Sequence, residues 1–252
     1  TLWIVRRGVP MHAEKIDASS DHPLEWAELF RFSLGMYANN VIWLLILKVD
    51  QFIVRGFAGD YALGLYAVAA GLAESFRNLP SLIGSVVFPY VVQMPESERK
   101  PFLSRVAAQT LWISLVLAIV LAAAAGPLVT LLYGEEYAGA ATSAGLLFIA
   151  IALLSTGDLL GYHFIAAGRP TVITAVSAAS LILNVALNFA LVPYLGIAGA
   201  AVASVAAYGA VSLAIAWLLR AREGYTLRDM LWPRLTVTRG AGTLPPSRSQ
   251  RK

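Results

Sequence analysis

Six apolar stretches, each long enough to cross a lipid bilayer as a helix, recur along this chain with no soluble-looking interval between them. They run near Leu29–Val54, Tyr61–Val92, Thr110–Leu132, Ala138–Ala167, Thr171–Val192 and Ile197–Leu219. A hydrocarbon core about 30 Å thick needs roughly 20 apolar residues in a helix. Inside lipid every backbone amide must be bonded within its own segment or around a closed barrel, so only helices or barrel strands fit. Barrel strands alternate apolar and polar residues, and runs such as Ile113–Ala125 do not alternate. The expected fold is therefore all-α, a polytopic membrane protein of about six transmembrane helices. Residues 29–220 form the membrane lobe, residues 1–28 a polar cytoplasmic segment, and residues 221–252 a basic cytoplasmic tail that is largely disordered.

Composition supports lipid over water as the solvent. The chain is 58% hydrophobic and 13% charged, whereas a soluble domain carries roughly 25% charged residues. Cysteine is absent, which excludes disulfide frameworks and thiolate chemistry. His12, His22 and His163 lie far apart and show no metal-ligand spacing. No metal and no cofactor is expected. No nucleophile elbow, phosphate-cradling glycine loop or catalytic carboxylate pair is visible, so the chain is not read as an enzyme.

The net charge of +4 could suggest nucleic acid, but the basic residues sit in loops and tails rather than in one patch. No nucleic-acid partner is expected, and membrane topology accounts for them instead. Arg6, Arg7, Lys15 and Arg31 come before or at the start of the first stretch. Arg99, Lys100 and Arg105 follow the second, Arg169 the fourth, and Arg220, Arg222, Arg228 and Arg234 the sixth. Basic loops stay on the cytoplasmic side, so both termini are expected in the cytoplasm of a multi-pass protein of the cell membrane. Tyr61, Tyr133, Tyr137 and Tyr194 then mark outer ends, and Trp112, Trp217 and Trp232 inner ones.

A charged side chain near a helix centre costs at least about 2.5–3.5 kcal/mol on insertion scales, so it needs a partner or a wet cavity. Glu74 and Arg77 lie near the middle of the second stretch, three residues apart and able to pair. Asn78, Ser81 and Ser85 continue that face. In the first stretch Asn39 and Asp50 share a face, with Lys48 roughly opposite and snorkelling toward the interface. The fifth carries Ser177, Ser180, Asn184 and Asn188 at helical spacing, and Asp158 sits toward the inner end of the fourth between Gly157 and Gly161. His163 is expected at the interface. Two readings stand for these residues: the lining of a hydrated cavity that contacts substrate, or hydrogen-bonded glue between helices at about 1 kcal/mol per contact. Gly196, Ala200, Ser204 and Gly199, Ala203, Ala207 give the sixth helix a small-residue packing face.

The ordered series Lys48-Val-Asp-Gln-Phe-Ile-Val, Gly64-Leu-Tyr-Ala-Val-Ala-Ala, Leu79-Pro, Phe88-Pro, Leu132-Tyr-Gly-Glu-Glu-Tyr, Ala167-Gly-Arg-Pro and Leu187-Asn-Phe-Ala-Leu-Val-Pro-Tyr-Leu-Gly-Ile-Ala-Gly carries a resemblance. From about Leu29 to Arg220 the chain resembles the C-terminal half of the polysaccharide-biosynthesis flippases. These are the lipid-linked oligosaccharide exporters of the multidrug/oligosaccharidyl-lipid/polysaccharide superfamily. The resemblance implies one lobe of a two-lobed transporter that moves a lipid-linked saccharide across the cytoplasmic membrane. Residues 1–28 would then be the cytoplasmic inter-lobe linker. The partners implied are membrane lipid, the lipid-linked saccharide, and a missing N-terminal lobe or a second copy, so the chain is expected to be a fragment or a half-size protein.

On that resemblance the substrate-binding residues are Arg77, Glu74, Asn78, Asp50, Asn39, Asn184 and Asn188. Arg77 would attract the pyrophosphate, Glu74 would position Arg77, and the Asn and Ser stripe would bond sugar hydroxyls. Two alternatives remain open: a cation-coupled multidrug exporter of the same superfamily using Asp50 or Glu74, and a non-transporting membrane scaffold for polysaccharide-synthesis enzymes.

Overall fold

The computed structural model describes residues 26–232, with side chains described from residue 37 onward except at 38–40 and 43. Thr1–Tyr37 and Ala38–Lys252 form separate units; of the first, the helical backbone of residues 26–37 is described. The packing described next is that of the second.

Helix α1 (Trp26–Gln93) is 68 residues long and bends at Gly59, whose φ of 83° and ψ of 179° fall in a region open essentially to glycine. Beyond the bend the chain returns antiparallel. Lys48 meets Glu74, and Tyr66 donates to Asp50. Helix α5 (Pro170–Glu223), 54 residues long, repeats the device at Gly196, with φ 56° and ψ −136°. Ser180 donates to the Ala207 carbonyl and Asn184 to Ser204 across that second fold-back. The two arms approach closely because residue 199 has no side chain: a Cβ there would lie 2.6 Å from the Leu191 carbonyl oxygen.

Between these hairpins lie α2 (Glu96–Ala123), α3 (Ala125–Tyr133), a 3₁₀ turn (Glu135–Ala140) and α4 (Ala141–Ala166), and after them α6 (Leu227–Leu231). No strand occurs among the described residues. The segments Glu96–Ala123, Glu135–Ala166 and Pro170–Glu223 are long and apolar enough to cross a membrane. The expected all-α membrane protein is borne out.

Side chains are sorted as lipid demands. On α2 the inward face is Ser104, Ala107, Ala108, Thr110, Ser114 and Ala118, while Ile113, Val116, Ile119 and Val120 point outward. Lipid tails are as apolar as leucine, so close packing of small residues and interhelical hydrogen bonds hold such helices together. Two apolar clusters result. One gathers Ile46, Val54, Tyr66, Phe148, Leu154 and Val192; the other gathers Val91, Leu103, Phe164, Leu219 and Met230.

Two boundaries differ from the sequence expectation. Helix α2 begins at Glu96, well before the apolar stretch at Thr110, so Arg99, Lys100 and Arg105 stand on a helix rather than in a loop. The cause is visible at Arg99, which is buried and donates to the carbonyls of Val91 and Met94, satisfying the free acceptors that end α1. The expected tail also starts later. Residues up to Glu223 continue α5, and Met230 of α6 is fully buried. Trp112 Nε1 donates to the Leu231 carbonyl at 2.7 Å and pins α6 to α2. Residues 233–252, like residues 1–25, lie outside those described.

Candidate functional site

Polar side chains gather in two places inside the helices. The first is built around Asp50, which is 3% exposed. Its carboxylate accepts from the Tyr66 hydroxyl at 2.6 Å, from the Gln51 amide at 2.8 Å and from the Ser204 hydroxyl at 3.4 Å. Asn184 donates to Ser204 Oγ at 3.4 Å, and Asn188 donates to the Asn184 carbonyl at 2.9 Å and to its Oδ1 at 3.1 Å. Tyr208 closes the group by donating to the Ile46 carbonyl at 3.1 Å.

Three of the sequence-proposed residues, Asp50, Asn184 and Asn188, therefore meet in one network joining α1 to both arms of α5. Asn184 and Asn188 are fully buried there, which is how interhelical glue behaves and not how a stripe facing a substrate path behaves. Tyr66, Ser204 and Tyr208 belong to the same network. Their signal was the hairpin register: with the turn at Gly59, Asp50 and Tyr66 fall opposite one another.

The second place lies on the returning arm of α1. Glu74 takes its ion pair from Lys48 at 2.5 Å, with both side chains a little over a third exposed. Lys48 is thus not reaching for the interface, as its position on the first arm suggested. It crosses to Glu74. Arg77, one turn on, lines a cavity of about 460 Å³ between α1, α4 and α5 together with Ser81, Ser155, Asp158, Tyr162 and Ser177. The Arg77 guanidinium and the Asp158 carboxylate interact electrostatically.

Two glycines fix this cavity. A Cβ at residue 84 would sit 2.5 Å from the Tyr162 hydroxyl, and one at residue 157 would sit 2.6 Å from Ser212 Oγ. Without those side chains Tyr162 reaches α1, its ring leaning on Phe88 at 5.0 Å, and α5 closes on α4 beside Asp158. Ser212 secures that approach by donating to the Leu153 carbonyl at 2.6 Å. Ser177 is buried, and its hydroxyl has no hydrogen-bond partner among the described residues.

The outer surface of the same arm is mixed, with Leu79, Leu82, Val86 and Tyr90 exposed beside its polar residues. Asn78, Ser81 and Ser85 are exposed, with Ser81 also at the cavity. The side chain of Asn39 lies outside the described residues. His163, expected at an interface, is buried at 3% exposure. It bonds Tyr225 at 2.9 Å and faces Glu223 at 3.5 Å, while Glu223 also pairs with Arg169 at 3.0 Å. Burial raises the Tyr225 phenol above its ordinary value. This cluster ties the ends of α4 and α5.

No group of three or more His, Cys, Asp or Glu suited to a metal occurs among the described residues. Residues 22–142 match a family model described as polysaccharide biosynthesis protein, which bears out the family resemblance over that part of the chain. Over 210 residues the chain is 25% identical to an uncharacterized membrane protein of Methanocaldococcus jannaschii, covering 74% of this chain and 41% of that protein. It therefore spans about two-fifths of the length of the curated relative it matches. No solved structure matches the chain.

Proposed function

We propose that this all-α membrane protein, related over residues 22–142 to the polysaccharide biosynthesis family, is one lobe of a flippase for lipid-linked saccharides. It carries oligosaccharide or polysaccharide precursors across the cytoplasmic membrane for cell-surface polysaccharide synthesis. The observation that carries this reading is the returning arm of α1. Asn78, Ser81 and Ser85 are exposed on this arm, which the apolar stretch Tyr61–Val92 would carry through the membrane, with Arg77 and Asp158 in the cavity beside them. Polar groups there are costly against lipid, so the face lines water or meets a second lobe. That lobe would come from more of the same chain or from another copy. The helices would make six passes, the two arms of α1 and of α5 counting separately, with both ends in the cytoplasm.

Arg77 would take the substrate's diphosphate, because a guanidinium presents a planar fork of donors to phosphate oxygens. Rocking of one lobe against the other would open that site to each side in turn. The role is transport and not catalysis; the partners are membrane lipid, the lipid-linked saccharide and the other lobe, with no nucleic acid. Export of lipid-linked saccharide by the full-length protein tests this. Arg77→Ala is expected to reduce export at least about tenfold at equal membrane abundance, in line with loss of a charge-assisted phosphate contact. Undiminished export would remove Arg77 from its assigned role.

A second reading, cation-coupled export, draws on the Asp50 network. A buried carboxylate met by two hydroxyls, and linked through Ser204 and Asn184 to an Asn188 Oδ1 that has no hydrogen-bond partner among the described residues, suits a proton or small cation. Dependence of transport on a sodium or proton gradient, lost in Asp50→Asn, would favour it.

A further inference from the structure

The cavity behind Arg77 holds more chemistry than a diphosphate uses. At about 460 Å³ it falls within the range of roughly 300–1,000 Å³ typical of small-molecule sites. It offers a guanidinium that only donates, a carboxylate that only accepts, and hydroxyls that do both. Ser155 already donates to the Ile151 carbonyl, which leaves its oxygen to accept. The buried Ser177 hydroxyl has no partner among the described residues, a condition that costs free energy until a ligand or water meets it. Leu159, Ile173, Val211 and Ile215 supply an apolar wall.

The charges select among ligands. A phosphate placed beside Arg77 and Asp158 together would be drawn by one and repelled by the other, and a cation likewise. A neutral ring bearing several hydroxyls satisfies both, donating to the carboxylate and accepting from the guanidinium, while its C–H face lies on the apolar wall. Ser81, exposed at the mouth, opens the cavity onto the polar face of Asn78 and Ser85.

We propose that this cavity is a saccharide subsite, taking the sugar next to the diphosphate of a lipid-linked glycan, with Asp158, Tyr162 and Ser177 selecting its hydroxyls and Arg77 at the junction of sugar and diphosphate. The inference rests on the flippase reading and adds where the sugar is read. Asn184 and Asn188, bonded within the Asp50 network, do not read it.

The test uses the full-length protein in detergent, with citronellyl diphosphate as a bare probe and the same molecule carrying glucose, galactose or N-acetylglucosamine. Wild type is expected to bind at least one sugar-bearing probe at least about tenfold tighter than the bare one, the size of one or two well-made hydrogen bonds to a charged group. Asp158→Asn is expected to move the two probes in opposite directions. The sugar-bearing probe weakens about tenfold, and the bare diphosphate tightens because a like charge has gone. Ser177→Val, which leaves both charges in place, is expected to weaken the sugar-bearing probe alone and serves if Asp158→Asn misfolds. Equal binding of bare and sugar-bearing probes by wild type, or equal shifts of both in the variants, overturns the subsite and leaves the flippase reading standing. Failure of every probe to bind wild type overturns both.

Discussion

Lys48 and Glu74 meet at 2.5 Å across the bend at Gly59, a lysine from the outgoing arm of α1 closing on a glutamate from the returning arm. This pair places the returning arm in register, with Arg77 one helical turn beyond and at the cavity. Both side chains are a little over a third exposed, so the pair is worth only a modest amount, about 0.2–1 kcal/mol by analogy with exposed pairs. Lys48→Glu and Glu74→Lys are each expected to lower the melting temperature of the detergent-solubilised protein, and the double exchange to recover most of the loss. Equal destabilisation by the double exchange and the sum of the singles would show no coupling.

The fold-backs depend on backbone shapes that side chains resist. Gly59→Ala and Gly196→Ala are each expected to cost about 1–3 kcal/mol, because both residues hold positive φ outside the ordinary helical regions. Gly71, inside the returning arm, has nothing within 4 Å of a Cβ position. Gly71→Ala should instead be neutral or stabilising by up to about 1 kcal/mol, since alanine is the better helix former. Thermal unfolding of the three variants checks the contrast in sign.

Tyr66 supplies the shortest hydrogen bond to the Asp50 carboxylate, at 2.6 Å. Tyr66→Phe keeps the ring and removes that donor, leaving the buried carboxylate with the Gln51 amide and the more distant Ser204 hydroxyl. A loss of about 1–3 kcal/mol is expected, and the substitution Asp50→Asn in the Tyr66→Phe background should return part of it by removing the charge. Denaturation of the single and double variants gives the coupling energy.

Much of this architecture was legible in the sequence, for a physical reason: in lipid, segment length and apolarity decide what can be a helix before any tertiary detail matters. The bend between the first two stretches and the one near Gly196 could be read from where hydrophobicity paused. Partners across a fold-back could not, because they depend on the register that the bend imposes. Glu74 and Arg77 are neighbours on one helix, and that spacing made a local pair attractive. Lys48 reaches Glu74 from the other arm. The fifth-stretch asparagines had the right period for a cavity stripe, but period alone does not tell which side of a helix meets a neighbour. Asp158 was visible as a charge, whereas its relation to Arg77 emerged only when α4 packed against α1. The start of α2 was missed because Arg99 is polar by composition and buried by function, capping the carbonyls that end α1.

The claim on which the functional reading turns is that the polar face of the returning arm meets water within the membrane. These 252 residues contain no cysteine, and any cysteine elsewhere in the full-length protein is first replaced by serine. Ser81→Cys, at the cavity mouth, and Ile119→Cys, on the outward apolar face of α2, are to be introduced separately into the full-length protein in intact membranes and exposed to a charged, membrane-impermeant methanethiosulfonate. Rapid modification of the Ser81→Cys protein, slowed by a sugar-bearing prenyl diphosphate, together with an inert Ile119→Cys protein, is the expected result. An unreactive Ser81→Cys protein would show that water does not reach that face and contradict the reading.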